Sequence, residues 1–106
     1  MWSYTTDVDI SSINSEAKPV VIIKHSNRCS ISSVALNRLL ESQAELDQSA
    51  HVILIDVVAN RSNSLLLASH LGVDHESPQV IVLKNNEVVY VASHMGIKPS
   101  IILSYL

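Results

Sequence analysis

Val20-Val21-Ile22-Ile23 is a β-branched run with no polar residue between its aliphatic ones. A strand with one wet face alternates apolar and polar residues. An unbroken run reads as a strand buried on both faces, so the rest of the chain must cover a sheet from above and below. Pro19 closes the polar segment before it, within which Ser11 to Glu16 reads as a short helix or a lead-in loop. A second buried strand, His51 to Val58, centres on Val52-Ile53-Leu54-Ile55. Gln79 to Lys84 reads as a third strand and Val88 to Ser93 as a fourth, with a tight hairpin turn at Asn85-Asn86. Helices fill the gaps. Ser32 to Gln48 carries Leu36, Leu39 and Leu40 on one face, with Val34 or Leu46 extending the stripe. Ser62 to Leu71 follows candidate caps Asn60 and Asn63 and ends at Gly72, which supplies a left-handed C-cap. Ile97, Ile101, Ile102 and Tyr105 recur at helical spacing in the tail, where Pro99 fits the first turn. The order strand, helix, strand, helix, strand, strand, helix implies a right-handed parallel crossover followed by an antiparallel hairpin. The expected class is α/β, a four-stranded mixed sheet flanked by helices.

The 106 residues fit one domain, residues 1–106. With 47% hydrophobic and 16% charged residues, the chain can close a core, and with no Phe that core is aliphatic. Seven Lys and Arg against ten Asp and Glu, with no basic tract, argue against a nucleic-acid partner. No apolar run reaches the length of a membrane helix, and no basic, then apolar leader is visible, so neither membrane nor export is expected. The single cysteine, Cys29, excludes an internal disulfide and an internal redox pair. A free thiol points to the cytoplasm.

Cys29 falls between the first strand and the long helix, beyond the carboxyl edge of the sheet, where open α/β folds present their chemistry. Unpaired N–H groups at a helix start favour an anion, and a thiol in such a place ionises more readily than a free one. His25 and Arg28 add positive character, and Ser30 and Ser32 offer hydroxyl donors; these four are the candidate thiolate-stabilising residues. Ser32 stands where a CxxC pair would have its second cysteine. A hydroxyl there orients a thiolate but cannot resolve a mixed disulfide. The opposing reading takes Cys29 as a small buried hydrophobe. Its polar neighbours weaken that reading, and spacing alone leaves the two evenly matched.

Lys24-His25-Ser26-Asn27-Arg28-Cys29-Ser30-Ile31-Ser32, with His75-Glu76-Ser77-Pro78-Gln79 and Ala92-Ser93-His94 far downstream, resembles the bacillithiol-system monothiol redox proteins, the YtxJ-like bacilliredoxins. The resemblance runs from about Val20 to the end. It implies a thioredoxin-like fold and a place in Gram-positive bacteria that use bacillithiol instead of glutathione. Cys29 matches the single redox-active cysteine. The implied activity is monothiol thiol–disulfide exchange that removes bacillithiol from proteins through a Cys29–bacillithiol intermediate. Bacillithiol is then co-substrate, bacillithiolated proteins are the partners, and no cofactor is bound. Ser77-Pro78 matches the loop whose cis proline faces the active cysteine, which makes Ser77, Pro78 and neighbouring His75 the substrate-binding candidates. Ser30 departs from the proline often found after the family's cysteine, and restores an N–H that proline lacks.

Other polar residues read more plainly. His94 suits a helix cap or a backbone contact at a strand end, Asp56 a turn in preference to a buried proton carrier, and Arg61 the surface in preference to a contact with an acidic ligand. His51 and His70 have no partners at metal-ligand spacing, and no metal is expected. Trp2 and Tyr4 read as packing at the terminus. The competing function is a non-enzymatic thioredoxin-like binding or adaptor module using the same cleft; a weaker one is a peroxide-type reductase working through a sulfenic acid.

Overall fold

The computed structural model describes Trp2, Tyr4 and residues 13–106. Its elements are β1 (Val20–His25), α1 (Ser30–Leu40), α2 (Gln43–Ser49), β2 (His51–Asp56), α3 (Arg61–Leu71), β3 (Gln79–Lys84), β4 (Glu87–Ser93), a 3-10 turn (His94–Gly96) and α4 (Pro99–Ser104). The strands form one mixed sheet in the order β2-β1-β3-β4. β1 runs parallel to β2 and antiparallel to β3, and β3 and β4 make the hairpin.

Helices cover both faces, as the unbroken first strand requires. Alternate residues of β1 point opposite ways. Val21 and Ile23 join Leu54, Val80 and Val82 under α1, α2 and α4, whose Leu36, Leu39, Leu46 and Ile102 complete that core. Val20 and Ile22 join Ile53, Ile55, Ile81 and Leu83 under Leu67 of α3. The same alternation continues into the polar end of β1. Lys24 turns toward α3 and His25 toward α1, and both are buried.

Local geometry follows the turn chemistry. Asn85 and Asn86 have φ of 53° and 60°. Two left-handed residues give a two-residue hairpin the twist of its strands, and asparagine tolerates that region. Asn86 also clasps the chain ahead of β1, accepting from the N–H of Ser15 at 2.7 Å and donating its own N–H to Ser15 Oγ at 2.6 Å. Gly72 closes α3 at φ 68°, as expected, with the Val73 N–H returning to the carbonyl of Ala68.

One element departs from the sequence reading. The expected helix over Ser32 to Gln48 starts earlier, at Ser30, and divides into α1 and α2 around Glu41 and Ser42. Continued straight, its 17 residues would span about 26 Å, against about 20 Å for a six-residue strand. The break returns the chain to the start of β2, with Leu46 of α2 fully buried while Val34 faces outward. Residues 13–19 are irregular; Ser11 and Ser12 of the expected lead-in element lie outside the described residues.

Candidate active site

The register brings four connections to one end of the sheet. His25 pairs with Asp56 at the ends of β1 and β2, Lys24 with Gln79 at the start of β3, and Gln79 with Ser93 at the end of β4. The segments Ser26–Cys29, Val57–Asn60, Asp74–Pro78 and His94–Gly96 therefore leave from the same edge. Cys29 and the Ser77-Pro78 loop, 48 positions apart in sequence, belong to that edge together.

Cys29 is the N-cap of α1, half-buried, with extended backbone at φ −119° and ψ 120°. Its N–H donates to the carbonyl of Ser26 at 3.3 Å, and its carbonyl accepts from Ser33 at 3.2 Å. Among the described residues, no side-chain hydrogen bond caps the helix, so the first-turn N–H groups are left to whatever sits at the cap. Sulfur occupies the position where a serine or aspartate would normally accept from them. Ser30 and Arg28 are exposed beside it.

Ser32 and His25 form a buried pair one layer below. Ser32 Oγ lies 2.7 Å from His25 Nδ1 and accepts the Ser26 N–H at 2.9 Å. Among the described residues, the Ser32 hydroxyl is thus engaged with the ring and with the backbone of the loop that leads to Cys29. Burial lowers the His25 pKa from its ordinary value, with Asp56 and the Ser32 contact opposing that trend. Tyr4 stacks on the His25 ring at 6.2 Å between centroids. Asp56 is a turn residue, as read from sequence, accepting from the N–H groups of Val58 and Ala59.

The Ser77-Pro78 bond is cis. The Pro78 carbonyl accepts the His94 N–H at 3.0 Å, the backbone role read for His94, whose own φ is 54°. Among the described residues, the backbone N–H and carbonyl of Ser77 make no hydrogen bond. Among the described residues, the Ser77 hydroxyl and Gln79 Oε1 are buried without a partner, while Gln79 Nε2 donates to the Asp74 carbonyl at 2.9 Å. His75 is half-buried, and its Nδ1 lies 3.2 Å from Lys24 Nζ. Burial lowers the His75 pKa, and the charges of Lys24 and Arg61 lower it further. Lys24 escaped the sequence reading. The signal was its parity: it is the third residue, after Val20 and Ile22, on a strand face that α3 covers. Among the described residues, no three His, Cys, Asp or Glu side chains converge as a metal site needs.

A lone N-cap cysteine and a cis-proline loop at one sheet edge can be compared with known proteins. Residues 4–102 match the family described as monothiol bacilliredoxin BrxC. The chain belongs to the monothiol bacilliredoxin family. A solved structure described as a candidate oxidoreductase with a thioredoxin fold is 31% identical, with TM-score 0.72, covering 83% of this chain and 76% of its own. Thioredoxin-2 of the malaria parasite, described as a component of its protein secretion machinery, covers 99% of this chain and 95% of its own at 16% identity and TM-score 0.69. Trxlp from Edwardsiella tarda covers 87% and 84% at 16% identity and TM-score 0.64. The last two speak for the fold, which is thioredoxin-like.

Bacilliredoxin membership and one free cysteine establish an enzyme of monothiol thiol–disulfide chemistry. A monothiol centre takes up one sulfur partner by exchange and must pass it to a second thiol from outside. Two hollows lie at the opposite end of the sheet; one of about 360 Å³ is bounded by Lys18, Val20 and His51, the other by Leu83 and Asn86. Cys29 itself is half-buried at the sheet edge. No described helix is long and apolar enough to cross a membrane.

Proposed function

We propose that this bacilliredoxin removes bacillithiol from protein mixed disulfides. The observation that carries the reading is Cys29 as N-cap of α1 with Ser32, not a second thiol, three residues on. The Cys29 thiolate attacks the bacillithiol sulfur of a protein–bacillithiol disulfide. That S–S bond breaks, the client leaves as a thiolate and takes a proton, and a Cys29–bacillithiol disulfide remains. A second bacillithiol thiolate then attacks the adduct, releasing Cys29 and forming bacillithiol disulfide. Electrons balance: the client sulfur is reduced to a thiol, the incoming bacillithiol is oxidised, and the transferred bacillithiol stays at the disulfide level throughout.

First-turn N–H groups, including that of Ser30, stabilise the thiolate, with Arg28 supplying positive charge beside it. Ser32 and His25 act from below, by fixing the loop that carries Cys29. The unpaired backbone of Ser77, next to Pro78, pairs with an extended client segment, and His75 lines the same loop. Bacillithiolated proteins are the partners, and the reducing cytoplasm is the setting in which the free thiol operates.

Intact-mass spectrometry tests this. Wild type and C29S are incubated with bacillithiol disulfide and, separately, glutathione disulfide, then with reduced bacillithiol. One rapid bacillithiol adduct, on wild type alone and released by reduced bacillithiol, is expected. A folded wild type that takes no adduct, or takes both equally slowly, sinks the reading in favour of a binding module.

A further inference from the structure

Lys24 is fully buried in a strand of aliphatic residues, where leucine or methionine would sit at no electrostatic cost. Its Nζ donates to the Ser64 carbonyl of α3 at 3.1 Å and meets His75 Nδ1 at 3.2 Å, with the Ser64 hydroxyl also 3.4 Å from that nitrogen. Burial lowers the Lys24 pKa from its ordinary 10.5; in its ammonium form Nζ has donors and no lone pair, so the ring nitrogen facing it accepts. A neutral histidine that accepts at Nδ1 carries its proton at Nε2, directed away from the buried ammonium. His75 is two residues before Ser77. Among the described residues, a second side-chain tie in this loop is Gln79 Nε2 to the Asp74 carbonyl, while the Ser77 hydroxyl and Gln79 Oε1 have no partner.

We propose that Lys24 is a positioning residue for thiol–disulfide exchange: through Ser64 it is pinned beneath the Asp74–Pro78 loop, and it locks His75 as the neutral Nε2–H tautomer, holding an N–H donor at the substrate side. This rests on the proposed role of that loop in client binding. Burial, Lys24 from β1 and Arg61 from α3 oppose a positive charge on the ring, while Asp74 and Glu76 flank it on its own loop. Lys24 therefore acts on the reaction through His75, without touching sulfur.

The test uses the full chain. Long-range nitrogen–proton NMR of the His75 ring should report Nδ1 as acceptor and Nε2 as protonated in wild type at neutral pH. In K24M that signature should give way to mixed tautomers, and the His75 titration midpoint should rise. De-thiolation of a peptide carrying a bacillithiol disulfide should slow by about tenfold, roughly one hydrogen bond to a charged group. H75Q should slow it equally, and K24M/H75Q no further. A wild-type ring protonated at Nδ1 overturns the proposal, even where K24M fails to fold. So do an unchanged tautomer in folded K24M and rate losses that multiply in the double variant. If wild type exchanges no bacillithiol at all, the proposed function fails and this role falls with it; a wrong tautomer with normal exchange overturns the Lys24 role alone.

Discussion

The Ser32 hydroxyl and the His25 imidazole are 2.7 Å apart, and Ser32 Oγ also accepts the N–H of Ser26. The residue in the second position of the cysteine motif is therefore tied to the strand end and to the loop before Cys29. Ser32 is fully buried, so its two contacts exchange no partner with water. The loop that sets the Cys29 backbone is held from inside the fold.

Replacing Ser32 with alanine removes both contacts and leaves a buried ring nitrogen and a backbone N–H unpaired. The expected loss is about 1–3 kcal/mol of stability, read from urea midpoints at constant slope. An unchanged midpoint would show that the pair holds nothing.

Replacing Ser32 with cysteine tests the monothiol logic. Cys29 and position 32 are neighbours by helical spacing. A thiol at 32 should attack the Cys29–bacillithiol adduct, expel bacillithiol and leave an internal disulfide two hydrogens lighter than the reduced chain. Persistence of the adduct in folded S32C would contradict this.

Acid should destabilise the fold through its histidines. Burial lowers His25 and His75 below their ordinary value of 6.5, so the unfolded chain binds more protons as pH falls past that value. The stability they contribute is complete above about 6.5 and is lost between there and their lower folded-state values. Urea midpoints across this range should fall with acid, and less steeply in H25Q. An equal slope in H25Q would remove His25 from the account.

Leu39 is fully buried at the centre of the α1 face. Leu39→Ala should cost about 2–5 kcal/mol, seen as a lower thermal midpoint. The folded fraction should still form the Cys29 adduct, because Leu39 packs on the core rather than at the sheet edge.

Asn85 sits at φ 53°. Asn85→Gly should be neutral or slightly stabilising, whereas Asn85→Val, β-branched in the left-handed region, should cost about 1–2 kcal/mol. Equal midpoints for the two would mean the turn rearranges.

The sequence by itself determined the strands to within two residues at either end, the mixed sheet, the Gly72 cap and the hairpin turn. Each rests on local chemistry: unbroken aliphatic runs, a left-handed C-cap, a pair of asparagines. It also determined that Cys29 has no second thiol in the sequence to pair with. Tertiary structure decided the rest. The division of α1 from α2 lies in a stretch without glycine or proline and follows from where β2 must begin. The placement of Cys29 and the Ser77-Pro78 loop at one end of the sheet depends on antiparallel pairing of Lys24 with Gln79, 55 positions apart in sequence. Lys24 and His25, adjacent in sequence, end on opposite faces, one beneath His75 and the other against Ser32. Strand alternation dictates that separation, but only the helices packed above and below supply the partners that give it chemical meaning.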